Sequence, residues 1–272
     1  MEETTTKILF TSDSTQNQQT MSDAILAVAR RFKGELIWLQ NAANAGITQA
    51  LVDDLKKRAY RDLLVSEKSG EFWSSAAKAS NELGVEMSFV FAEPKSPGLL
   101  GGGMAACVNK FEKPMVYLNP STNWVEPKNI LMLLDSHSES RQKFYRVSVL
   151  AKMFGSKVHV FSLSSGQDKE TVKYLYAYSS QGFNYMIQKG IPTNEMDPKE
   201  GVNMVSEVLG AAADLRDCWV STMNETDGGG FMKPGPFQQY CLQLRVPIMA
   251  CAVRSEEHTS ELQSHHDLVC RL

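Results

Sequence analysis

Residues 7–13 (KILFTSD) and 129–135 (NILMLLD) are two short apolar runs, each closed by an aspartate. After the first run, Met21, Ala24, Ile25, Val28, Ala29 and Phe32 recur at steps of three and four, the spacing that places side chains on one helical face. Gly34 is a helix stop, and residues 34–40 (GELIWLQ) give a second apolar run. Strand, helix and strand in that order predict a β-α-β unit, because parallel neighbours need a crossover. The alternation continues with a helix over 47–60, a short strand over 63–66, a helix over 72–83 and a strand over 85–92. A helix led by glycines then spans 101–111, and a closing strand spans 114–119.

After residues 120–128 (PSTNWVEPK) the pattern restarts. NILMLLD takes the place of KILFTSD, and Phe144, Val147, Leu150, Ala151 and Phe154 form the stripe of the helix that follows. Strands are expected over 157–165, 191–195, 219–223 and 246–253, and helices over 169–188, 201–217 and from Pro236. From the strand-ending aspartate to the proline of the closing strand the separations are 114 − 13 = 101 and 247 − 135 = 112. The expected fold is therefore α/β, with two tandem doubly wound domains. Each is an open, mostly parallel sheet of about five strands with helices on both faces. The expected domains are residues 1–121 and 128–254.

Bulk properties exclude several classes. The chain has 272 residues, 43% hydrophobic and 22% charged, an ordinary globular composition. The net charge of −3 comes from 28 basic and 31 acidic residues. Residues 255–272 hold Arg271 against Glu256, Glu257, Glu261 and Asp267, so 1 − 4 = −3 and the rest is neutral. Neither nucleic acid nor a membrane is an expected partner. No stretch approaches the roughly 18 apolar residues of a membrane span, and the acidic start MEETTTKILF is unlike a secretory signal, so a cytoplasmic location is expected. The five cysteines form no C-x-x-C pair, and four of them sit in apolar runs.

Residues 254–272 (RSEEHTSELQSHHDLVCRL) hold three of the five histidines. They resemble the translation of a common sequencing-library adapter. Residues 255–272 are accordingly read as a non-native tail, not a metal site, and no metal ligands are assigned.

The closing aspartates Asp13 and Asp135, the Pro-apolar closing strands at Pro114 and Pro247, and the two copies together resemble the universal stress protein family in its tandem form, over residues 7–253. The resemblance implies copies paired about a pseudo-twofold axis, with a ligand crevice at the carboxyl ends of the strands. A further dimer of such chains is compatible with it. ATP-binding members carry G-x-x-G after the fourth strand, nine further residues, then G-[ST] at the last helix, where backbone N–H groups and the helix N-terminus meet phosphate. Here the first copy offers Gly101, Gly102 and Gly103 after a loop too short for that spacing. The second places Asn224, Asp227, Pro234 and Gly235 where the glycine pattern should fall.

The implied function is a binding or regulatory module in the stress response, with degenerate nucleotide sites and no cofactor assigned. An ATP-binding member with slow or no hydrolysis is one alternative, and a nucleotide-dependent enzyme on a related α/β scaffold is another. Adenine nucleotide is the implied small-molecule partner, with Asp13, Gly101, Gly102, Gly103 and Asp135 as the candidate contacts. The aspartates have a second reading as strand-end caps. A surviving site is expected in the first copy, because Asp227 and Pro234 interrupt the second. No G-x-S-x-G, Walker or H-E-x-x-H pattern supplies catalytic residues, and His137 and His159 read as structural.

Overall fold

The computed structural model describes residues 6–13, 18–32, 34–41, 53, 63–68, 71–94, 104–119, 121–122, 124–224 and 235–252. Apart from residue 53, the expected helix over 47–60 lies outside them, as do Gly101 to Gly103, Asp227, Pro234 and the adapter-like tail.

Among the described residues ten strands form one sheet. The first five are β1 (Lys7–Ser12), β2 (Glu35–Asn41), β3 (Leu63–Lys68), β4 (Met87–Phe91) and β5 (Met115–Leu118). They lie side by side in the order 3-2-1-4-5, all parallel. The second five are β6 (Asn129–Leu134), β7 (Lys157–Ser162), β8 (Thr193–Glu195), β9 (Cys218–Asn224) and β10 (Ile248–Ala252). From the centre outward they run 10-9-6-7-8, also parallel. Pattern reading anticipates sheets of about five strands; the structure shows in addition that both sets belong to one sheet, joined where β5 and β10 pair antiparallel.

Helices α1 (Gln18–Arg31), α2 (Phe72–Glu82), α3 (Met104–Val108), α4 (Lys143–Phe154), α5 (Lys169–Gln188), α6 (Met204–Asp214) and α7 (Pro236–Gln243) cover both faces. The side-chain period of two sorts each strand between them. In β9, Trp219 and Met223 face the layer of α1, α4 and α5, while Cys218 and Val220 face that of α2, α3, α6 and α7. The expected helix stripe Phe144, Val147, Leu150 and Ala151 is buried on the first of these faces. Gly182, in mid-helix of α5, allows close approach to the sheet. A Cβ there would stand 3.1 Å from Met132 Cε and 3.2 Å from Leu134 Cδ1 and Phe144 Cζ.

Only three residue pairs join β5 to β10, so side chains carry much of the union. Phe10 stacks on Phe89 with centroids 4.9 Å apart, and Phe89 meets Trp219 at 6.3 Å. Trp124, between the two sets of strands in sequence, packs on Trp219 at 5.1 Å, on Phe154 at 6.3 Å and on Phe89 at 6.4 Å. Trp219 Nε1 donates to the Val125 carbonyl at 2.9 Å. At the rim, Arg31 grips Glu126 through two bonds, and Arg146 reaches Glu86 at 2.8 Å. The exposed ion pairs contribute little, whereas each buried aromatic contributes roughly 1.5 to 3 kcal/mol.

Candidate functional site

In an open α/β sheet a ligand crevice forms where successive crossovers leave to opposite faces, at the carboxyl ends of the strands. Here that condition is met between β1 and β4, and again between β6 and β9. The strand registers relate the two places. Ile8 pairs with Leu36 and Ile130 with Val158, so an offset of 130 − 8 = 158 − 36 = 122 carries Asp13 onto Asp135 and Met21 onto Lys143.

At the end of β6, one carboxylate oxygen of Asp135 accepts the His137 backbone N–H at 2.8 Å and the Ser140 hydroxyl at 2.7 Å. The Ser140 oxygen in turn accepts the Asp135 N–H at 3.2 Å. This reciprocal arrangement orders the 3₁₀ turn Ser138–Gln142 that opens α4. Asp135 thus does what a strand-end cap does. The exposed His137 ring has Nδ1 3.4 Å from the same oxygen.

Lys143, the first residue of α4, is only 1% exposed. Together with Asp135, Thr222, Met204, Phe237 and Tyr240 it lines a narrow cleft enclosing about 20 Å³, room for about one ordered water. Behind it, burial pushes the Cys251 thiol up to about 11, against the pull of Lys143 and Arg146. Sequence reading overlooks Lys143 and Thr222. The available signal is the position of Lys143 on the stripe 143, 147, 150, 154, where the other three residues are apolar.

The first crevice is built differently. Asp13 donates its N–H to Phe91 O at 3.0 Å and accepts the Glu93 N–H at 3.3 Å, so it ties the end of β1 to the end of β4. Burial raises its carboxyl from the ordinary 3.8 to about 6; the Glu93 amide opposes the rise and the Glu93 carboxylate adds to it. The Tyr117 hydroxyl donates to Ala92 O at 3.0 Å nearby, and burial raises its phenol. By the same offset of 122, Met21, not a cation, corresponds to Lys143. Asp13 and Asp135 each end the inner strand of their own set, so the structure leaves them at two separate places.

At the amino ends, His159 Nε2 lies 2.9 Å from Asn129 Oδ1, and burial lowers its pKa, with Lys157 adding to the effect. It belongs to the packing of β6 and β7. Among the described residues no group of three His, Cys, Asp or Glu side chains is placed to hold a metal ion, and no helix is long and apolar enough to cross a membrane.

No protein-family model matches the chain, and no curated protein matches it in sequence. Solved structures do match in fold. A functionally unknown protein from Pseudomonas aeruginosa PAO1 aligns over 92% of this chain and 93% of its own, with 14% identity and a TM-score of 0.61. A universal stress protein from Archaeoglobus fulgidus DSM 4304 aligns over 92% and 97%, with 11% identity and a TM-score of 0.60. The chain has a universal stress protein-type α/β fold, a mostly parallel open sheet flanked by helices.

Proposed function

We propose that this chain is a binding and regulatory module of the universal stress protein type, made of two fused copies paired within one chain, cytoplasmic, and carrying degenerate nucleotide sites. The observation that carries the reading is the strand order. The second set of five repeats the first in mirror sequence about the β5 and β10 pair, which gives a single chain the paired arrangement the family resemblance implies. Residues 1–121 and 128–254 are the copies, with the aromatic clasp around Trp124 at their junction. Degeneracy rests on the departures at Asn224, Asp227 and Pro234, together with the narrowness of the second cleft. Any nucleotide held in the first copy would depend on Asp13 and on Gly101, Gly102 and Gly103.

One observation favours ATP binding as a second reading. Lys143 brings a buried cation to the second cleft, where a phosphate would profit from it. Mass spectrometry of small molecules released from the purified protein separates the two. Degenerate sites release no nucleotide in stoichiometric amount, and stoichiometric ATP or ADP would establish the second reading.

A further inference from the structure

Helix α7 serves both halves of the sheet. Pro236, Phe237 and Tyr240 line the cleft at the ends of β6 and β9. From the same turn, Gln238 reaches the other way: its side-chain oxygen accepts the backbone N–H of Met104, the first residue of α3, at 2.7 Å. Gln238 is 4% exposed, so the bond is shielded from water. The first N–H groups of a helix have no partner within it, and here one is met by a side chain 238 − 104 = 134 residues away. Near it, the Asn119 side-chain amide reaches the Cys241 carbonyl of α7 at 3.5 Å.

The arrangement is one-sided. Met115 and Ile248 each follow the closing-strand proline, so the offset at this end of the halves is 248 − 115 = 133, and Gln238 corresponds to Ala105. Alanine has no side-chain acceptor, so the equivalent position of α3 does not return this contact to α7.

We propose that Gln238 is an intramolecular latch that makes α3 and α7 open as one body, so that displacement of the cleft wall in one half frees the helix start of the other. The latch acts on whatever fills the cleft, and it does not depend on that ligand being a nucleotide.

Amide hydrogen exchange followed by NMR on the full chain tests it without a ligand. In the wild-type protein the Met104 amide is expected to exchange slowly, within about threefold of the α7 amides, because one opening exposes both. Gln238→Met keeps the volume and removes the acceptor, and is expected to speed Met104 exchange by about tenfold or more while β6 and β7 amides hold their rates. Gln238→Glu keeps an acceptor and is expected to preserve the protection. Fast Met104 exchange in the wild type, an unchanged Met104 rate in Gln238→Met, or a uniform acceleration of every amide would each overturn the latch. Should Gln238→Met fail to fold, the wild-type comparison of Met104 with the α7 amides still decides.

Discussion

Val116 and Met249 lie directly opposite each other at the centre of the ten-stranded sheet, and the register is symmetrical about them. Met115 pairs with Ala250 and Tyr117 with Ile248. Each of the two is the second residue after a proline, Pro114 or Pro247. The antiparallel register thus sets the second residue after one proline against the second residue after the other.

Both side chains are fully buried on the same face of the sheet. Val116→Asp would place an unpaired carboxylate there and is expected to cost about 3 kcal/mol or more. Because the junction belongs to both halves, urea denaturation should show one cooperative transition moved to lower denaturant by every probe. A shift confined to the first half, with the unfolding of the Trp219 environment unmoved, would mean that the junction does not couple them.

The two tryptophans of the clasp differ in one respect. Trp219 Nε1 has the Val125 carbonyl as partner, whereas the buried Trp124 Nε1 has none among the described residues. Replacement by phenylalanine removes similar volume at either place. Trp219→Phe also orphans a carbonyl, and Trp124→Phe removes an unsatisfied donor. Trp219→Phe is expected to be the more destabilising of the two by about 1 kcal/mol, as read from denaturation midpoints at constant slope. Equal losses would show that the Val125 bond contributes nothing.

Asp13 makes stability depend on pH in the direction opposite to most carboxylates. Its folded pKa of about 6 lies above the ordinary 3.8, so the folded protein keeps a proton that the unfolded chain releases. Its contribution is present below about pH 4, falls as pH rises from about 4 to 6, and is flat above that. Asp13→Asn keeps an oxygen for the Glu93 N–H and removes the charge. After allowance for the part of Asp13 that meets solvent, the variant is expected to exceed the wild type by about 1 to 2 kcal/mol at pH 7.5, with the difference vanishing near pH 4. Denaturant titrations across that range check the sign. A variant less stable than the wild type at pH 7.5 would show that the charged form is stabilised, not strained.

Much of the fold is legible in the sequence because period and punctuation agree. KILFTSD and NILMLLD are too short and apolar for surface helices, and each is followed by a stripe at helical spacing and a second run 28 residues on, at Glu35 and Lys157. Helix α5 is expected over residues 169–188 and spans Lys169–Gln188; Asp168 closes its first turn by accepting the Thr171 N–H. The expected helix over 101–111 ends early, its described part being Met104–Val108, and the one over 201–217 shortens to Met204–Asp214. At their starts, Gly101 to Gly103 are not described, and Asn203 accepts the Ser206 N–H as a cap that stripe counting does not register. The expected contacts at Gly101, Gly102 and Gly103 lie outside the described residues.

The site is less legible. Asp13 and Asp135 look alike in sequence, yet one bridges two strands and the other orders a 3₁₀ turn, a difference made by Glu93 on one side and Ser140 on the other. Lys143 draws no notice as one lysine among 28 basic residues. Its burial beside Asp135 depends on where α4 lands against the ends of β6 and β9, which is a tertiary fact.

Calorimetric titration of the full chain with ATP tests the central claim of degenerate nucleotide sites most directly. The expected dissociation constant is weaker than about 100 μM, or roughly −5.5 kcal/mol. The dipole of a helix start adds only about 0.3 to 1 kcal/mol at an exposed site, and the second cleft has room for about one water. Whatever weak binding is seen should be lost in Gly102→Glu and kept in Gly229→Glu if the first copy retains it. Low-micromolar binding would show that the sites are not degenerate, and binding abolished only by Gly229→Glu would place the surviving site in the second copy.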